Sequence, residues 1–140
     1  MEPLDLTKAP PRSPWMQMHG IYNMPRTIDK LRASLPGGNL GEYQMAGFSQ
    51  RMFDGLGISE ETLRQVVADA QDDADVERWM LANVDLAAYA DGNEALAARK
   101  LGDTDREWFL TRYPVSAAMP DTTPLFDVIV ADDREMFSRP

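Results

Sequence analysis

The sequence predicts a mostly α-helical, compact single-domain globule with an irregular N-terminal arm. Three observations carry that expectation. Apolar residues recur at helical spacing through most of the chain, and capping residues, prolines and glycines punctuate them at short intervals. A composition of 44% hydrophobic and 26% charged residues over 140 positions is the balance of one folded domain. A chain of this length buries enough surface to need no disulfide or metal.

The elements follow in order. Residues 1–14 contain Pro3, Pro10, Pro11 and Pro14, which fix φ and remove N–H donors, so they read as an extended arm. Residues 15–140 read as the single helical domain. Trp15 to Met24 carries no formal charge and is dense in aromatic residues and methionine, which suits a half-buried irregular segment. Pro25 is placed as the first helical residue of a helix with Ile28, Leu31 and Leu35 on one face, ended by Pro36-Gly37-Gly38-Asn39. Leu40 to Met45 is a linker or strand-like segment. Phe48 to Gly55 fits a short helix stopped by Gly55 and Gly57. Ser59 caps the next helix, with Leu63, Val66, Val67 and Ala70 as its apolar stripe. Asp73 or Asp75 starts another, with Val76, Trp79 and Met80 on one face. Leu86, Tyr89, Leu96 and Leu101 keep a helical period that Gly92 weakens. Asp103 caps a further helix with Trp108, Phe109 and Arg112 as inward candidates. After a loop from Pro114 to Pro124, Thr123-Pro124 opens a short last helix, although Val128-Ile129-Val130 also fits a strand.

Charge narrows the function classes. The net charge is −9, split between six Lys/Arg against four Asp/Glu in residues 1–51 and eight against nineteen in residues 52–140. That balance argues against nucleic acid as a partner, which needs clustered cations, and against an anionic membrane surface. No run approaches the length of a membrane span, and the Met-Glu-Pro-Leu-Asp start lacks the order of a signal peptide. There are no cysteines, which excludes thiolate catalysis and Cys-ligated zinc and fits a cytoplasmic location. With one histidine and no cysteine, no metal site and no cofactor is expected. The acidic run from Asp69 to Glu77 fails as a calcium loop, because Arg78 and Val84 fall where Gly and Glu belong. These acids, with Asp132, Asp133 and Glu135, read as helix caps and solvated surface. The glycine turn before Glu42 lacks the Gly-Lys-Ser/Thr ending of a phosphate loop.

The segment from Met24 to Arg32 holds the most chemistry. Arg26, Asp29 and Arg32 fall at i, i+3 and i+6, with Lys30 one turn beyond Arg26. A cation in the first turn opposes the helix dipole, so Arg26 calls for an anion: Asp29, Glu42 or a ligand. A solvated salt-bridge ladder is the plainer alternative. Glu42 and Tyr43, beside this helix, are candidates for general base and hydrogen-bond donor, or else for an ion pair and a core ring. His19 is a candidate acid/base, with a packed or surface role as the commoner one. Trp15 and Tyr22 are candidates for the wall of a ligand pocket, although aromatic residues at helical spacing are more often core.

On Arg12-Ser13-Pro14, Gly20-Ile21-Tyr22, Met24-Pro25-Arg26, Ile28-Asp29-Lys30, Arg32, Gly41-Glu42-Tyr43 and Phe53 with Leu56-Gly57-Ile58, the chain resembles a bacterial family known only as domain of unknown function number 5069. The resemblance runs from Leu6 to Phe137 and is sharpest between Arg12 and Ile58. It implies a fold and residues of interest, with no reaction, substrate or cofactor. Where it implies a tryptophan–asparagine pair, this chain has Tyr89 and Asn93.

Two functions remain open from sequence. In one, Arg26, Asp29, Lys30 and Arg32 with Trp15 and Tyr22 hold an anionic small molecule, a carboxylate- or carbonyl-bearing compound, and Glu42, Tyr43 or His19 moves a proton without a cofactor. In the other, the domain is a non-catalytic module for protein interaction or self-association. The oligomeric state is left open.

Overall fold

Trp15 to Met24 is not irregular. In the computed structural model, which describes residues 1–139, Gln17–Met18 (β1) and Ile21–Tyr22 (β2) pair as an antiparallel hairpin. Its two-residue turn, His19-Gly20, has both φ angles positive (50° and 81°), the tight turn whose twist matches the flanking strands. With only two residues per strand the hairpin needs outside support. Asn93 supplies it: its side-chain carbonyl accepts from the Tyr22 N–H (2.9 Å) and its amide donates to the Gly20 carbonyl (2.7 Å).

Seven α-helices follow in the described residues: α1 (Met24–Ala33), α2 (Phe48–Leu56), α3 (Glu60–Asp69), α4 (Asp73–Asn83), α5 (Ala90–Ala97), α6 (Arg106–Arg112) and α7 (Leu125–Ser138). Short 3₁₀ turns precede α5, α6 and α7. The mostly α expectation therefore holds. Ser59 caps α3 by accepting from the Thr62 N–H, and Asp72 caps α4 by accepting from the Asp75 N–H. Asp105, not Asp103, caps α6 through the Trp108 N–H, while Asp103 accepts from the Lys100 N–H in the preceding turn. Val128 to Val130 is helix, inside an α7 of fourteen residues that is longer than the short helix expected. Trp108 is also a correction: it is 57% exposed, whereas Phe109 beside it is buried.

Helix α1 is the centre of the fold. Every residue in it except Arg32 is buried, including Arg26, Asp29 and Lys30, because the arm, the hairpin, α3 and α7 enclose it. The main core packs Ile28 and Leu31 against Met52, Phe53, Leu63, Val67, Val76 and Met80. A smaller cluster of Leu101, Phe109, Leu125 and Val128 lies between α6 and α7. The arm lies on this body: Leu6 is buried beside Ala33 and Tyr43, and its N–H donates to the Asn39 carbonyl at 2.8 Å.

Candidate functional site

The buried charges of α1 do not form a ladder with one another. Arg26, 4% exposed, donates from both terminal nitrogens to Asp133 of α7, at 2.7 and 3.1 Å. The same carboxylate accepts from the Tyr43 hydroxyl at 2.9 Å, and the Arg26 guanidinium lies 5.4 Å from the Tyr43 ring centre. The anion that the first turn of α1 requires is thus Asp133, not Asp29 or Glu42. Asp133 is itself buried, which corrects its reading as a solvated surface acid. Asp29 instead accepts from the Arg12 backbone N–H (2.8 Å) and side chain, and Arg12 continues to Asp73 at 2.5 Å. Arg32 turns away and donates to the Glu2 carbonyl at 2.8 Å.

Beside this pair a cavity of about 480 Å³ opens between α1, the Glu42–Phe48 segment, α6 and α7. Phe48, Trp108, Phe109, Ile129 and Met136 provide its apolar wall. Five cations line it: Arg26, Lys30, Arg51, Arg99 and Arg112. Only Arg26 has a carboxylate within 4.0 Å among the described residues. Four acids also face the cavity, Glu42, Asp103, Asp105 and Asp132, of which Asp103 and Asp105 are engaged as caps.

Burial is the largest influence on Arg99, Lys30 and Asp132, and the neighbouring charges add to it. Burial, then the Arg51 charge, pushes the Arg99 guanidinium below its usual range, with Asp103 opposing. Lys30 is buried, and its Nζ donates to the Gln44 carbonyl at 2.9 Å. Burial, with Arg26 and Arg112 adding to it and Asp133 opposing, lowers the Lys30 ammonium to about 7. Asp132 moves the other way: burial, then Asp133, raises its carboxyl above the usual carboxylate range. Tyr43 is held neutral by burial and by the carboxylate it donates to. An amine and a carboxyl with shifts of opposite sense therefore line one cavity, an arrangement suited to moving a proton.

Of the residues singled out from sequence, Arg26, Lys30, Glu42 and Tyr43 line this cavity. Asp29, Arg32, His19, Trp15 and Tyr22 do not. His19 sits on the exposed hairpin turn with Nδ1 3.6 Å from Glu77 Oε1. Trp15 donates from its indole to Asp127 at 2.8 Å and packs edge-on against Tyr22 and Phe126. Arg51 and Arg99 escaped sequence reasoning, and Asp132 and Asp133, read there as caps and solvated surface, are half-buried and buried respectively. They stand in no motif, and the contacts that matter to them come from distant elements. Arg112 carried one signal, its place on the inward side of an amphipathic turn.

No group of three or more His, Asp and Glu residues that could hold a metal occurs among the described residues, and no described helix is long and apolar enough to cross a membrane. Fold and site define an α-helical domain built around a buried Arg–Asp pair and a cation-lined cavity. The chain belongs to the family described as Domain of unknown function (DUF5069), which it matches over residues 8–135. That span contains both partners of the Arg26–Asp133 pair and all the charged side chains of the cavity wall. No curated protein matches the chain.

Proposed function

We propose that this chain binds an anionic small molecule in the cavity between α1, α6 and α7, and moves a proton on it without a cofactor. One observation carries the reading: Arg51, Arg99 and Arg112 face a common space with no carboxylate partner within 4.0 Å among the described residues. Each guanidinium is a rigid fork suited to a carboxylate or phosphate, and neighbouring cations repel until an anion joins them. Lys30 and Asp132 are the groups placed to exchange a proton with it, since Tyr43 is committed to Asp133. Glu42 also lines the cavity and is exposed.

The test is a thermal-shift titration with inorganic phosphate and small carboxylates on the wild type and on Arg99→Ala/Arg112→Ala. Anions bound to the native state should raise the wild-type melting temperature, by about 2–3 kcal/mol of added stability at a hundredfold excess over Kd. The variant should require roughly tenfold more anion for the same shift, the loss of one or two charge-assisted hydrogen bonds. Equal shifts in both proteins, or none at millimolar anion, would refute the reading.

A further inference from the structure

We propose that Lys30 is an amine nucleophile, and that the cavity takes a small anionic carbonyl compound as an imine on its Nζ. The proposal rests on the anion-site reading and names the class of compound held there. Its foundation is the setting of one atom. Lys30 is buried and lines the cavity, and its Nζ makes one hydrogen bond, to the Gln44 carbonyl, with no carboxylate within 4.0 Å among the described residues. The charged groups that act on it come from each element packed against it: Arg26 on its own helix, Arg112 on α6 and Asp133 on α7. Asp133 is already engaged by Arg26 and Tyr43.

A lysine serving only as a counterion gains from a carboxylate neighbour and from solvent. Lys30 is buried and has no carboxylate within 4.0 Å among the described residues, and the charges acting on it are Arg26 and Arg112 against Asp133. Desolvation beside other cations is the arrangement that turns an ammonium into a free amine able to attack a carbonyl. A value of about 7 for Lys30 agrees, since a large share is then unprotonated at neutral pH. The arginines lining the same cavity specify the rest of the compound, an anionic group on the same small molecule. A 2-oxo acid and a phosphorylated aldehyde or ketone share that chemistry.

The step balances with groups the cavity holds. The Nζ lone pair adds to the carbonyl carbon as the C=O π pair moves to oxygen, and a proton passes from nitrogen to oxygen to give a carbinolamine. Asp132, having accepted the proton that the Lys30 ammonium gives up, then passes it to the departing hydroxyl, which leaves as water while nitrogen forms the C=N bond. The products are an iminium on Lys30, an Asp132 carboxylate and one water.

Reductive trapping tests this. The whole chain is incubated with sodium cyanoborohydride and glyoxylate, glycolaldehyde phosphate or neutral glycolaldehyde, and adducts are mapped among Lys8, Lys30, Lys100 and the amino terminus. At least one anionic probe should label Lys30 on the order of tenfold faster than the other amines, with the rate rising through pH ~7. The faster of the two anionic probes identifies a carboxylate or a phosphate site. Lys30→Met should abolish that adduct. Arg99→Ala, which keeps the amine, should slow the anionic probes while leaving neutral glycolaldehyde unchanged. Labelling spread evenly over the amines would overturn the proposal, as would neutral glycolaldehyde labelling Lys30 as fast as either anion. Melting shifts with glycolate and inorganic phosphate separate the two readings. Shifts without Lys30 labelling keep the anion site and refute the imine. Labelling without shifts keeps the nucleophile and refutes the arginine site.

Discussion

Arg26 and Asp133 show how a single buried pair can join the two ends of a chain. Each is more than nine-tenths buried, and Tyr43 takes up the remaining reach of the carboxylate. Such a pair is worth little against a well-packed apolar replacement, but breaking it leaves a stranded charge. Asp133→Ala should therefore cost about 3–5 kcal/mol in denaturant unfolding, and Arg26→Met a similar amount. The double change Arg26→Met/Asp133→Leu should cost clearly less than the two single changes added together. Additive losses would mean that the two residues act separately. Lys30 makes a second prediction, with a definite sign. Its folded value of about 7 lies below the ~10.4 of an unfolded lysine, so between those values the unfolded chain holds more protons. Below pH ~7 both states are protonated and the cost of the buried ammonium is present in full; it disappears as pH rises toward ~10. Wild-type stability should rise across that window relative to Lys30→Met, and parallel curves would show an ordinary lysine. The first-turn position of Arg26 announced from sequence that an anion was needed. It could not name Asp133, because helical spacing relates only residues a turn or two apart, and this partner lies 107 positions away.

At the scale of elements, what is local was legible and what is contributed across the fold was not. The caps at Ser59 and near Asp73 place α3 and α4 because a cap acts within three residues. The hairpin was missed because strands of two residues give no alternation to read, and its support comes from Asn93 on α5. Gly55 shows the same division. It reads as a helix stop, yet α2 continues through it to Leu56, and the left-handed residue after the helix is Gly57 (φ 70°). What requires glycine at 55 is the Tyr89 ring: a Cβ there would lie 2.3 Å from Cε1 of that buried side chain. Two effects therefore compete in Gly55→Ala. Helix propensity favours alanine by about 1 kcal/mol. Forcing a methyl into packed core costs about 1–3 kcal/mol. The clash should win, and Gly55→Ala should lower the melting temperature. In a Tyr89→Leu background, which removes the ring atoms in the way, the same substitution should become neutral or stabilising. A destabilisation of equal size in both backgrounds would place the glycine requirement in the backbone instead.

For the whole molecule, the uneven division of the core has consequences for how the cavity behaves. The main cluster around α1 holds most of the buried apolar side chains, whereas a cluster of four buried residues lies between α6 and α7. Opening free energy follows buried apolar contact, so α6 should exchange its amide hydrogens through a smaller opening than α1. The cavity lies on that seam, with Arg112, Trp108 and Phe109 of α6 forming one wall and Lys30 of α1 another. The chain's charge sharpens the point. On the proposed reading, arginines with no carboxylate within 4.0 Å among the described residues repel one another across this seam, and an anion that bridged them would strengthen it. Native-state hydrogen exchange should then show α6 amides opening below the global unfolding free energy, with α1 amides close to it. On the proposed reading, in which the anion binds only the closed seam, saturating phosphate should raise protection in α6 more than in α1. If α6 and α1 exchange with one common free energy and phosphate raises both alike, the domain opens as a single unit. The cavity is then a rigid recess in its surface, and binding there draws on no local motion.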